Sequence, residues 1–118
     1  MIEVRSEADG GLITVRMSGT VTEGDQENQF SKVEAQPDSE RVERVLLDWS
    51  DLDGWGPGAR SAGTWFGMHH WVLVGRIAIL ADAKWDDEVL RITDVYRAAA
   101  VRRFSPSERE VALHWLLK

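Results

Sequence analysis

There is no cysteine among the 118 residues. This excludes disulfides, a thiol nucleophile and any cysteine-ligated metal, and it fits a reducing compartment. Nor is there a basic excess: 14 Lys and Arg stand against 20 Asp and Glu, a net charge of −6, which argues against a nucleic-acid binder with a basic face. No long apolar run occurs. The most apolar-leaning stretch, 65–81, is broken by Gly67, His69, His70, Gly75 and Arg76, a poor composition for a membrane span. The opening Met1-Ile2-Glu3-Val4-Arg5 lacks the basic-then-apolar pattern of a secretory leader. A cytoplasmic protein is expected, with at most peripheral membrane contact. A Gly-x-x-x-x-Gly-Lys phosphate loop and a His-Glu-x-x-His zinc motif are also missing.

What is present suits one soluble domain spanning 1–118, with 43% apolar and 29% charged residues. The charge is unevenly spread. Residues 1–58 hold 13 acids and 5 bases, whereas 59–118 hold 7 acids and 9 bases. An ordinary solvated surface accounts for this asymmetry, and so does an acidic side that docks on a basic partner.

Ile2 to Glu7 and Leu12 to Met17 alternate apolar and polar residues around a Gly10-Gly11 turn, which predicts a hairpin. Thr22, with Glu23 and Asp25 behind it, caps a polar helix reaching about Ala35. Val42 to Trp49 reads as a buried third strand. An acidic, Gly/Pro-rich turn follows, and a long helix runs from about Pro57 to Val74. Arg76 to Ala81 is a continuous apolar strand, as in a central parallel position. A helix over about Lys84 to Ala99 leads to a short edge strand, Val101 to Phe104. Ser105, Pro106 and Glu108 form a capping-box start for a last helix, Ser107 to Leu117. The order ββαβαβαβα predicts an α/β fold, an α+β mixed sheet of four to five strands flanked by four helices.

In open α/β sheets, ligands gather at the carboxyl ends of strands. Trp55 lies in the turn after the third strand, Trp65 and Phe66 on the long helix, and Trp85 at the start of the next helix. These four could line an apolar pocket or meet a bilayer interface, although large aromatics at helical spacing are also ordinary core. Trp49 and Trp115 read as packing residues. The long helix is apolar over more than half its circumference, with Gly63 and Gly67 permitting close backbone approach. One stripe packs on the sheet, and the rest is compatible with a helix, a ligand or a homodimer.

His69 and His70 are adjacent and point about 100° apart on a helix, with no carboxylate a turn away, so no metal site is expected. Asp48, Asp51, Asp53 and Asp82 sit where the strand-end acids of a magnesium-dependent phosphatase would sit. The positioned lysine and defined nucleophile loop of such enzymes are missing. Turn and capping roles account for these acids, and no catalytic residue or cofactor is assigned.

The opening Ile2-Glu3-Val4 strand, the Leu46-Leu47-Asp48 strand end, Asp53-Gly54-Trp55 with its helix, Lys84-Trp85, and Phe104-Ser105-Pro106-Ser107-Glu108 running into Ala112-Leu113-His114-Trp115-Leu116 occur in order. Together they resemble the STAS-type fold of bacterial anti-sigma-factor antagonists, and more closely the SpoIIAA-like family. The resemblance implies the sheet described above, a topology shared with CRAL-TRIO lipid-binding domains, and no enzymatic activity. True antagonists carry a phosphorylatable serine in an Asp-Ser-Ser-Gly context at the helix start. Here the matching residues are Gly56-Pro57-Gly58-Ala59, so the resemblance does not extend to the phosphoswitch. The leading expectation is a binding domain that holds an apolar, lipid-like ligand at Trp55, Trp65, Phe66 and Trp85. The alternative is a protein-interaction module that uses Asp51 and Asp53.

Overall fold

Residues 1–7, 11–34, 42–62 and 74–118 are described by the structure, a computed structural model. Strands β1 (Ile2–Glu7) and β2 (Leu12–Val21) form the expected hairpin, antiparallel, with Ile2 opposite Met17 and Glu7 opposite Leu12. Alternation along β2 sends Ile13, Val15 and Met17 to one face and Leu12 to the other. Helix α1 (Glu23–Glu34) starts at a reciprocal cap. The Asp25 N–H donates to Thr22 Oγ1 at 3.1 Å, and the Thr22 N–H donates to Asp25 Oδ2 at 3.0 Å. The helix is polar, as expected, yet it buries Gln26 and Gln29 beside Val33.

Strand β3 (Arg44–Trp55) pairs parallel with β2, β4 (Arg76–Leu80) parallel with β3, and β5 (Ala100–Phe104) parallel with β4. The five strands lie in chain order, β1-β2-β3-β4-β5. Between them come α2 (described over 59–62), a single 3-10 turn (Ala83–Trp85) that runs into α3 (Asp86–Val95), and finally α4 (Arg109–Leu116). Right-handed crossovers taken in one direction put every connecting helix on the same face. Accordingly, Val33 of α1, Ala59 of α2, and Val89 and Ile92 of α3 pack with Ile13, Val15, Val45, Leu47, Ile77 and Ile79. On the other face α4, the one described helix there, packs through Ala112 and Leu116 on Leu46, Ala78, Leu80 and Phe104. Each such fully buried aliphatic side chain contributes roughly 1.5–3 kcal/mol.

One boundary differs substantially from expectation. Ser50 to Trp55 is strand, not turn. Beyond Asp48, β3 no longer pairs with β4 and runs on beside β2 alone. Two register shifts bring extra β3 residues into that ladder, and Gly19 of β2 takes φ +65° beside the second. The shifts break the period-2 alternation, and the open edge tolerates acids, so the segment has the composition of a turn. The helix expected to reach Ala99 ends at Val95, and the last helix starts two residues later than expected.

Helix α4 is fastened at both ends. The Ser105 N–H and Oγ each donate to Glu108 Oε1 at 2.9 Å, half of the expected capping box. At the other end, Arg44 Nε donates to the Leu116 carbonyl and Arg76 Nη1 to the Trp115 carbonyl, both at 2.6 Å. Two guanidiniums thus meet the negative end of the helix dipole and two of its orphan carbonyls.

The hydrogen bond from the Thr22 N–H holds the Asp25 carboxyl below its ordinary pKa, and that from the Ser105 N–H does the same for Glu108. A pKa depressed in the folded state adds stability above the ordinary carboxylate range, and that stability is lost as pH falls through the lower folded value. Denaturant unfolding at a series of pH values should therefore show stability falling below that range. Asp25→Asn and Glu108→Gln should each flatten the fall.

Candidate functional site

The carboxyl end of β3 carries an aromatic cluster. Trp49 and Trp55 point to the helix-covered face, and the turn after β4 brings Trp85 against them. Ring centroids are 5.2 Å apart for Trp49–Trp55, 5.2 Å for Trp55–Trp85 and 6.5 Å for Trp49–Trp85, all near-perpendicular. Edge-to-face contacts of this kind add about 0.5–1.5 kcal/mol each beyond area burial. Trp49 is buried, while Trp55 and Trp85 are half-buried. The Arg60 guanidinium lies 5.1 Å from the centre of the Trp55 ring, and Lys84 Nζ lies 5.3 Å from that of Trp85. Arg60 also pairs with Glu88 at 2.7 Å, and Glu88 with Arg91 at 2.9 Å. The two outer tryptophans therefore meet cations.

Two of the four residues expected to line a ligand pocket, Trp55 and Trp85, are thus brought together. Trp65 and Phe66 lie outside the described residues, as do His69, His70 and the apolar stripe that suggested a homodimer. Trp49, read only as packing, is the buried member of the cluster, and Trp55 lies between it and Trp85. Its position on the same face as Leu47 was legible from the period-2 pattern.

Asp51 and Asp53 are exposed on the bulged part of β3, either side of buried Leu52. Asp51 accepts from Arg16 Nη2 and keeps that guanidinium firmly charged. Asp53 falls at the second register shift, between Leu52, opposite Gly19, and Gly54, opposite Thr20. Asp48 is an internal fastening: Oδ1 accepts from the Ser50 N–H at 3.0 Å and Ser50 Oγ at 2.6 Å, and Oδ2 from Arg109 at 3.4 Å. Among the described residues, no group of three His, Cys, Asp or Glu is placed to hold a metal. No described helix is long and apolar enough to cross a membrane.

The start of α2 is built tightly. The Gly56 N–H donates to the Val21 carbonyl at 2.7 Å, and Gly58 has φ +78°. A Cβ at Gly58 would run into the Glu23 carboxylate. A phosphate on this turn would therefore meet a like charge.

A family model described as SpoIIAA-like matches residues 12–117. The chain belongs to the SpoIIAA-like family. An uncharacterised protein from Shewanella loihica, itself described as having a SpoIIAA-like fold, superposes with a TM-score of 0.76 at 21% identity, covering 98% of this chain and 92% of that one. The anti-sigma factor antagonist SpoIIAA in its unphosphorylated form superposes with a TM-score of 0.65 at 12% identity, covering 98% and 97%. At these identities the superpositions show the fold alone. No curated protein matches. Within this SpoIIAA-like fold the tryptophan cluster lies beside the turn 56–59 that opens α2.

The cluster is expected to carry stability in proportion to burial. Trp49→Ala should lower unfolding free energy by about 3–5 kcal/mol in denaturant titration. Trp85→Ala, at a half-buried position, should cost clearly less.

Proposed function

We propose that this SpoIIAA-like domain is a non-enzymatic protein-interaction module of a regulatory, anti-sigma-antagonist-like kind, and that it binds without phosphorylation. One observation carries the reading. At the carboxyl end of β3 the cations Arg60 and Lys84 lie over two half-exposed tryptophans, and the same strand end exposes the carboxylates Asp51 and Asp53 on either side of buried Leu52. Tryptophan and arginine are the residue types that supply most binding energy at protein interfaces, and a charged rim around them sets partner choice. The glycine and proline of the 56–59 turn offer no phosphate acceptor, and Glu23 supports the same conclusion electrostatically. The surface is built to bind constitutively.

A second reading keeps a lipid-like ligand at Trp55 and Trp85, with Trp65 and Phe66 completing the pocket and peripheral membrane contact following from it. The half-exposure of Trp55 and Trp85 favours it. The cations over both rings favour the protein partner, because a chain's acyl tail gains nothing from a charged lid.

Affinity purification of the tagged protein from its own organism should retain a specific protein partner. Asp51→Lys/Asp53→Lys should lose that partner with an unchanged circular dichroism spectrum. The same partner at the same yield on the double variant would contradict the assignment.

A further inference from the structure

The helix-poor face of the sheet holds a second candidate site, which shares only the Arg16–Asp51 pair with the reading above. Because α4 is the one described helix on that face and packs over β3, β4 and β5, the β1–β2 half is left open. A cavity of about 450 Å³ lies there, lined by Glu3, Arg5, Thr14, Arg16, Asp48 and Arg109. That size is within the range of small-molecule sites.

Most of the charges in this trough are already matched. Arg16 has Asp51 as its ion-pair partner and stands opposite Glu3 across the β1–β2 ladder. Asp48 is shared by Ser50 and Arg109. Arg5 is the cation left over. Among the described residues it has no ion-pair partner, and the residue opposite it in the ladder is Thr14. Thr14 is only 6% exposed, and its Oγ1 has no hydrogen-bond partner among the described residues. A buried hydroxyl without a partner is a standing penalty, uncommon in folded proteins. Thr14 lines the cavity beside Arg5; its Oγ1 is shielded as it stands, and because it holds no bond, rotation about χ1 into the cavity breaks none. Arg109, across the trough, spends a single long N–H contact on Asp48 and keeps further donors. With Asp51 counted as the partner of Arg16, the charges around the trough balance, and Arg5 and Arg109 are the guanidiniums with donors to spare.

We propose that this trough binds the oxyanion of a small molecule, a carboxylate or a phosphate monoester. Arg5 supplies the charge, the Thr14 hydroxyl turns into the cavity and donates a hydrogen bond, and Arg109 closes the far side. Oxyanions are the natural complement of guanidinium forks, and a hydroxyl donor beside them adds direction. The carboxylates Glu3 and Asp48 favour a ligand that also carries hydroxyl or ammonium donors.

The test is a titration of the isotope-labelled protein with inorganic phosphate and, separately, with succinate. Sodium chloride holds the ionic strength constant, and backbone amide shifts are followed by NMR. Saturable shifts at Arg5, Thr14 and Arg109 with at least one probe are expected. Phosphate alone would point to a phosphorylated ligand, succinate alone to a carboxylate, and both to an oxyanion site of broad tolerance. Arg5→Gln should weaken binding by roughly tenfold or more and Thr14→Val by about fivefold. Arg5 is exposed and Thr14→Val is isosteric, so both variants should fold. Thr14→Val should also keep or raise the melting temperature, because it removes an unsatisfied hydroxyl. Absence of saturable shifts with both probes, or unchanged affinity in either variant, would overturn the proposal.

Discussion

Strand order is the constraint on which the rest of this structure depends. Five strands run across the sheet in chain order, and each parallel step needs a right-handed crossover. The three connecting helices are forced onto one face, and the last helix has only the other face left. One layer is therefore thick and apolar, and among the described residues the other is a single helix on half a sheet. α4 compensates for its isolation with polar fastenings: Arg44 and Arg76 hold its last carbonyls, and Arg109 near its start reaches Asp48. Each joins a helix end to a strand beneath it, so the lone helix is fixed in orientation as well as by burial of Ala112 and Leu116.

The same asymmetry separates two kinds of surface. On the thick side, the far half of β3 escapes β4 and carries Trp49, Leu52 and Trp55 beyond the main sheet, where Trp85 closes on them. This end is aromatic inside and charged outside. On the thin side, the hairpin leaves Arg5, Thr14 and Arg16 facing a hollow that no described helix fills. The tryptophan cluster and the trough lie on opposite faces of the sheet, and the Arg16–Asp51 pair belongs to the trough's face.

Much of the fold was legible in the sequence because its signals were local. The continuous Arg76-Ile77-Ala78-Ile79-Leu80 run identified a strand covered on both faces, and Thr22 and Ser105 marked helices that start one and four residues further on. Ser50 to Gly54 was misread because register shifts destroyed the alternation that marks a strand, and Asp, Gly and Ser also compose turns. Trp55 and Trp85 were expected at the same edge of the sheet, and their rings are in contact. Trp49 was not seen as their buried partner, since its partners come from 6 and 36 residues away in sequence and periodicity carries no information on contacts at that range. The trough was missed for a similar reason. Glu3, Arg5, Thr14 and Arg16 each look like solvated hairpin residues, and only the one-sided placement of the helices turns their shared face into a cavity.

Whether the tryptophans form a core beneath an interaction surface or the wall of a lipid pocket is decided most directly by native mass spectrometry of the purified protein, followed by denaturing extraction and small-molecule analysis. An interaction module whose aromatic rings are satisfied by one another and by Arg60 and Lys84 should give a chain mass free of acyl-bearing adducts. A stoichiometric fatty acid or phospholipid that is released on denaturation would contradict this account and make the cluster a lipid site.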